Sequence, residues 1–232
     1  MDAIRKNILT ALLPFATWIG LQMILPATAG AYAARTAATA VVGLICLAFH
    51  NKAPKASNAL KVPNALKASN TLKALIGLVA GLGVCALWIW PDSFSWYRIW
   101  LCWPIGSLPA PPADSPYDPA VCGWTLTRVK LVGSAFEIAP VEEVFFRSFL
   151  YRWLQNRDFA AVPLSRFDLS AFLWMVFLFT LEHDRPLAAA MAGGVYGLLA
   201  IRLGLGSAIL AHVVTNLALG LHVIYHGAWA FW

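Results

Sequence analysis

The stretch from Pro140 to Arg152, PVEEVFFRSFLYR, sets two adjacent glutamates and an arginine inside an otherwise apolar segment. A charged residue at the centre of a membrane helix costs about 2.5 to 3.5 kcal/mol on insertion scales, so a helix that keeps Glu137, Glu142, Glu143 and Arg147 is expected to pair or use some of them. At about 100° per residue, Glu143 and Arg147 share a face one turn apart, while Glu142 points about a quarter-turn away. The spacing therefore predicts a Glu143–Arg147 pair and leaves Glu142 facing elsewhere. Taken alone, the stretch also suits one buried structural network, or a soluble helix with a charged face.

The rest of the chain decides that it is membrane sequence. Of 232 residues, 60% are hydrophobic and 12% charged, and the mean hydropathy is +0.68, against about 25% charged residues in soluble domains. The expected fold is an all-α polytopic transmembrane bundle of about 7–8 spans, a single integral domain over 1–232 with no room for a soluble one. Apolar runs place the spans at Ile8–Leu25, Ala31–Phe49, Ala74–Trp90, Leu126–Trp153, Leu169–His183, Pro186–Ile201 and Gly206–Leu221, with a short eighth helix over Val223–Trp232. The first reads as a retained span, because Ala27-Thr28-Ala29 runs directly into more membrane sequence.

Charge asymmetry gives the orientation. Near-copies of a six-residue unit fill 56–73, and five lysines between Lys52 and Lys73 mark 50–73 as a cytoplasmic loop that can also touch anionic lipid. The segment 91–122 carries Asp92, Asp114 and Asp118 and reads as external, with its aromatic run Phe94–Trp103 lying in the membrane interface. The net charge of +6 is thus topological. No nucleic acid is expected as a partner, and the oligomeric state is open. Cys46, Cys85, Cys102 and Cys122 lack metal or redox spacing, although Cys102 and Cys122 could pair across the outer loop. Ala189, Gly193 and Gly197 form a small-residue ridge for close helix packing.

Two further polar motifs lie in separate apolar runs, Phe179 to His183 and His212 to Asn216. With the first stretch they read EExxxR, FxxxH and HxxxN in chain order, and over about 124–232 the sequence resembles the CPBP family of intramembrane endopeptidases, which includes type II CAAX prenyl proteases and Abi-type proteins. With Gly227-Ala228-Trp229 near its end, it is most similar to the bacterial CAAX-protease-related branch associated with exosortase systems. The resemblance implies a catalytic core over 124–222, a bacterial inner-membrane location and a membrane protein or peptide as substrate, whether prenylated or not. It also implies Glu142 as general base, His183 as a holder of the attacking water, Glu143 and Arg147 as supports, and His212 with Asn216 as the oxyanion pair.

No cofactor is expected on that scheme. The alternative is zinc held by Glu142, His183 and His212, since one carboxylate and two imidazoles are a zinc-type set with an open position for water. A different class of function, a non-catalytic scaffold or a transporter using the same buried polar cluster, also fits such residues. Glu182 and Asp184, beside His183 at a span end, read as solvated charges; His222 and His226 as structural or solvent-facing; His50 as a boundary residue. Measured along the helices, Glu142 and His212 each lie about 15 Å from a cytoplasmic arginine, whereas His183 lies further from Asp168 and mismatches them in depth.

Overall fold

The computed structural model describes residues 3–50, 68–101 and 115–232, and these form a helical membrane bundle with no strand among them. Helices α1 (Ala3–Ile24) and α2 (Ala29–His50) make an antiparallel hairpin. Helix α3 (Asn70–Ile89) opens on Ser69, whose side chain accepts from Leu72 N–H, and α4 (Ser95–Leu101) follows it. The last turn of the lysine repeats is therefore helical, while residues 51–67 lie outside the described residues. So do residues 102–114, which include Cys102; the Sγ of Cys122 rests on Thr127.

A long helical run carries the glutamates. It begins as α5 (Pro119–Gly133), with a bend at Gly123, whose φ of 78° is open to glycine. It then passes through a π-turn at Ser134–Ile138, α6 (Ala139–Glu143), a second π-turn at Val144–Leu150, and α7 (Tyr151–Gln155). Pro140 has no N–H to give to Phe136, and the ladder slips by one residue there, with Ala139 N–H bonding Ser134 O. Wide turns thus stand on both sides of Glu142 and Glu143.

The remaining helices are α8 (Leu169–Leu181), α9 (Pro186–Leu203) and α10 (Leu205–His226). Five helices, α1, α2, α3, α9 and α10, are long and apolar enough to cross a membrane. At 13 residues, α8 spans only about 20 Å and stops short of the far side. The eighth helix expected over Val223–Trp232 does not form. Helix α10 runs through that start and ends at Gly227, φ 63°, a left-handed cap only glycine adopts freely, after which the chain turns back and lays Trp232 against Gly220.

Close helix approach fixes the middle of the bundle. A Cβ on Gly81 of α3 would stand 2.4 Å from Ala211 O of α10, and one on Gly197 of α9 would stand 2.8 Å from the Phe172 ring of α8. Ala189, Gly193 and Gly197 are thus the ridge on which α8 lies, with Phe179 against Gly193. Phe146, Met175, Phe179, Tyr196 and Ala211 fill the core, while Leu44, Leu47, Val79, Leu173 and Trp174 point outward. Outward apolar side chains of this size suit lipid as the solvent.

Candidate active site

Polar residues of α6, the bend after α8, α9 and α10 converge on a cavity of about 400 Å³ whose lining includes Glu142, Glu182, His183, Tyr196, His212 and Asn216. Its lining also includes residues 25–28, Tyr117, Asp184 and Trp232. These lie at the end of the bundle away from Arg152 and Arg202, the residues that close α7 and α9.

Glu143 is fully buried and does not face the cavity. Its Oε1 lies 3.0 Å from Arg147 Nη1, as the one-turn spacing predicts, and also accepts from His212 Nδ1 at 2.9 Å. Arg147 is held further by Gly193 O at 3.4 Å and sits over the Phe179 ring, 4.4 Å from its centre. A buried cation thus has a carboxylate, a carbonyl and a ring face around it.

Glu142 points the other way, into the cavity. Its Oε2 lies 3.7 Å from His212 Nε2 and has no hydrogen-bond partner among the described residues. The carboxylate of Glu143 can only accept, so His212 carries its proton on Nδ1 and presents a bare Nε2 towards Glu142. Tyr196 stacks on the His212 ring, 4.7 Å between centres and 21° between planes. The Tyr196 hydroxyl donates to Thr215 at 2.7 Å, and Thr215 in turn lies 2.9 Å from Gly81 O. The imidazole is therefore clamped by stacking, by Glu143 and by the tight α3–α10 contact.

His183 reaches the same cavity despite the mismatch in depth. Helix α8 ends at Leu181, and the bend that follows carries His183 back, so that its Nδ1 lies 2.8 Å from Phe179 O. A carbonyl only accepts; Nε2 is again the free nitrogen. Asn216 donates from Nδ2 to Ser134 O at 3.0 Å, the carbonyl at the start of the first π-turn, which leaves its second N–H free. All six residues singled out in the sequence are thus in or directly behind one site. Glu137 is not: it faces a separate groove with Thr36 and Gly133.

Two groups escaped sequence reading. Glu182 is no solvated charge. It lines the cavity with a buried, unpartnered Oε2 and lies close enough to Glu142 for their charges to act on each other, whereas Asp184 next door is 61% exposed and paired with Arg185. Only the position of Glu182 beside His183 at a helix end could have pointed to it. The other group, Tyr196 and Thr215, carried no motif at all.

Each histidine gives its Nδ1 to an oxygen and keeps Nε2 free, a pattern that metal ligands share. Among the described residues, however, no three His, Cys, Asp or Glu side chains converge at metal-binding spacing. Residues 124–218 match the family described as type II CAAX prenyl endopeptidase Rce1-like. No curated protein and no solved structure matches the chain.

Proposed function

We propose, from the match of residues 124–218 to the type II CAAX prenyl endopeptidase Rce1-like family, that this chain hydrolyses a peptide bond of a membrane-associated protein or peptide inside the bilayer. The observation that carries the reading is Glu142, a cavity-facing carboxylate with a free oxygen beside two histidines whose free nitrogens share the same cavity.

Glu142 takes a proton from water as the water oxygen attacks the carbonyl carbon, and then delivers that proton to the leaving nitrogen. His183 accepts the other water hydrogen at Nε2 and sets the direction of attack. The charge that develops on the carbonyl oxygen needs donors, and the second N–H of Asn216 is one. His212 donates from Nε2 only as an imidazolium, with Glu143 as its counter-ion. This route uses Glu142, His183 and Asn216 and calls on no metal. No serine or cysteine nucleophile takes part.

The test is mass spectrometry of the native membrane proteome of cells carrying either the wild-type chain or Glu142→Gln. Peptides cut only by the wild type identify substrates. Identical cleavage patterns, with both chains present in the membrane at equal amounts, would overturn the reading.

A further inference from the structure

The same cavity has a second, oppositely charged end. Lys130 of α5 and Arg35 of α2 both line it, together with Trp18, Tyr32, Tyr117 and Trp232. The Lys130 ammonium lies 4.3 Å from the centre of the Tyr32 ring, 4.8 Å from that of Tyr117 and 5.9 Å from that of Trp232. Arg35 lies 3.7 Å from the centre of the Trp18 ring and 5.2 Å from that of Tyr32. Among the described residues neither cation has an ion-pair partner, and Nε of Arg35 is buried with no acceptor.

Two like charges lining one cavity repel each other, and both side chains are partly withdrawn from water. Ring faces offset part of that cost, at about 0.5 to 2 kcal/mol each, but they supply no hydrogen-bond acceptor for the ammonium or the guanidinium. By contrast, Arg147 and Arg185 in the same bundle each have a carboxylate at 3.0 Å. What Lys130 and Arg35 lack is an anion, and the open cavity between them and the glutamates is where one can enter.

Building on the endopeptidase reading, we infer that Lys130 and Arg35 form a carboxylate-binding subsite that positions the substrate. Along the helix, Lys130 is about 18 Å from Glu142, a span that an extended peptide covers in about five residues. The carboxylate is therefore an acidic side chain or a chain end within about five residues of the bond that is cut. Arg35 and Lys130 are positioning residues. They touch the substrate away from the reacting atoms and set which bond meets Glu142.

The experiment measures binding and needs no turnover. The full chain carrying Glu142→Gln is placed in phosphatidylcholine nanodiscs and titrated with fluorescent, N-acetylated apolar hexapeptides. One is a free acid, the second its amide, and the third an amide with glutamate as its last residue. The free acid is expected to bind about tenfold or more tighter than the amide, the effect of one charge-assisted bond. Recovery of the advantage by the glutamate amide assigns the subsite to side chains, and its failure to recover assigns it to the chain end. Lys130→Gln should erase the acid's advantage, Lys130→Arg should keep it, and Lys130→Glu should turn the preference towards a peptide ending in an amine. A merely structural role for Lys130 would weaken all three peptides alike.

Equal binding of acid and amide would overturn the inference, as would an advantage that survives in the Lys130→Gln, Arg35→Gln double variant. Loss of the advantage on adding phosphatidylglycerol would give the two cations to a lipid phosphate instead. A chain that tells acid from amide but cuts nothing in the proteome comparison would sink the endopeptidase reading and leave the subsite standing. The reverse result would do the opposite.

Discussion

At the inner end of the cavity the charges are bonded to one another; at the outer end they are bonded to rings. Glu143, Arg147 and His212 form an ion-paired set in which Glu143 Oε1 serves both partners, at 3.0 and 2.9 Å, while Glu143 Oε2 and Arg147 Nε have no hydrogen-bond partner among the described residues. Lys130 and Arg35 lie against Tyr32, Tyr117, Trp18 and Trp232 without a counter-ion among the described residues. The difference separates charges that build the site from charges that await something in it. A buried pair is tuned by its own geometry, whereas a half-buried cation without an anion leaves room for one from a ligand.

Breaking the ion-paired set should have the largest effect on stability. Glu143→Ala leaves Arg147 and His212 facing an empty position in a low-dielectric interior, which costs about 3 to 5 kcal/mol. Chemical denaturation in detergent should show that loss together with abolished cleavage. An unchanged unfolding midpoint would mean that Glu143 does not hold the set together. Asn216→Ala comes next. Loss of an oxyanion donor lowers turnover by about 10² to 10³, and steady-state kinetics should place the loss in kcat; near-wild-type turnover would make Asn216 only a peg for Ser134 O.

Gly81→Ala sharpens the comparison from outside the charges. Its Cβ would meet Ala211 O at 2.4 Å, so α3 must move away from α10, at a cost of about 1 to 3 kcal/mol. Thr215 then loses its grip on Gly81 O, and cleavage should fall along with the melting temperature. Normal activity in this variant would show that the clamp on His212 is dispensable. Smallest of all is Asp184→Asn. Asp184 lies 2.7 Å from Arg185 Nη1 but is itself 61% exposed, and the buried Arg185 keeps Asp92 at 3.0 Å, so the loss should be about 1 kcal/mol or less. A drop in melting temperature as large as that of Glu143→Ala would contradict the distinction between a carboxylate buried with its partners and one in solvent.

Much of this was legible in the sequence where one side chain and helical periodicity decide the outcome. Glu143 and Arg147 meet because they are one turn apart, and the apolar runs fall close to the observed helices. The ridge of Ala189, Gly193 and Gly197 works as small residues do, by letting α8 come close. Glu182 and Asp184 show the limit. They flank one histidine, yet the bend after α8 leaves Glu182 half-buried with its Oε2 inside the cavity and Asp184 61% exposed, a difference that no periodicity announces. The two π-turns were equally hidden: Pro140 announces a missing N–H but not which way the ladder slips. Trp232 was misread with the eighth helix, although Gly227 is a stop that a strict reading of helix ends would have weighed more heavily.

The central claim is that a carboxylate, with no metal, activates the water. It is tested most directly by measuring cleavage of a peptide identified in the proteome comparison, using the wild-type chain reconstituted after dialysis against a strong chelator, with Glu142→Gln alongside. The account predicts undiminished turnover by the chelated wild type, and no turnover by Glu142→Gln at an unchanged melting temperature. Inactivation by the chelator that added zinc reverses, or more than a tenth of wild-type turnover in Glu142→Gln, would contradict it.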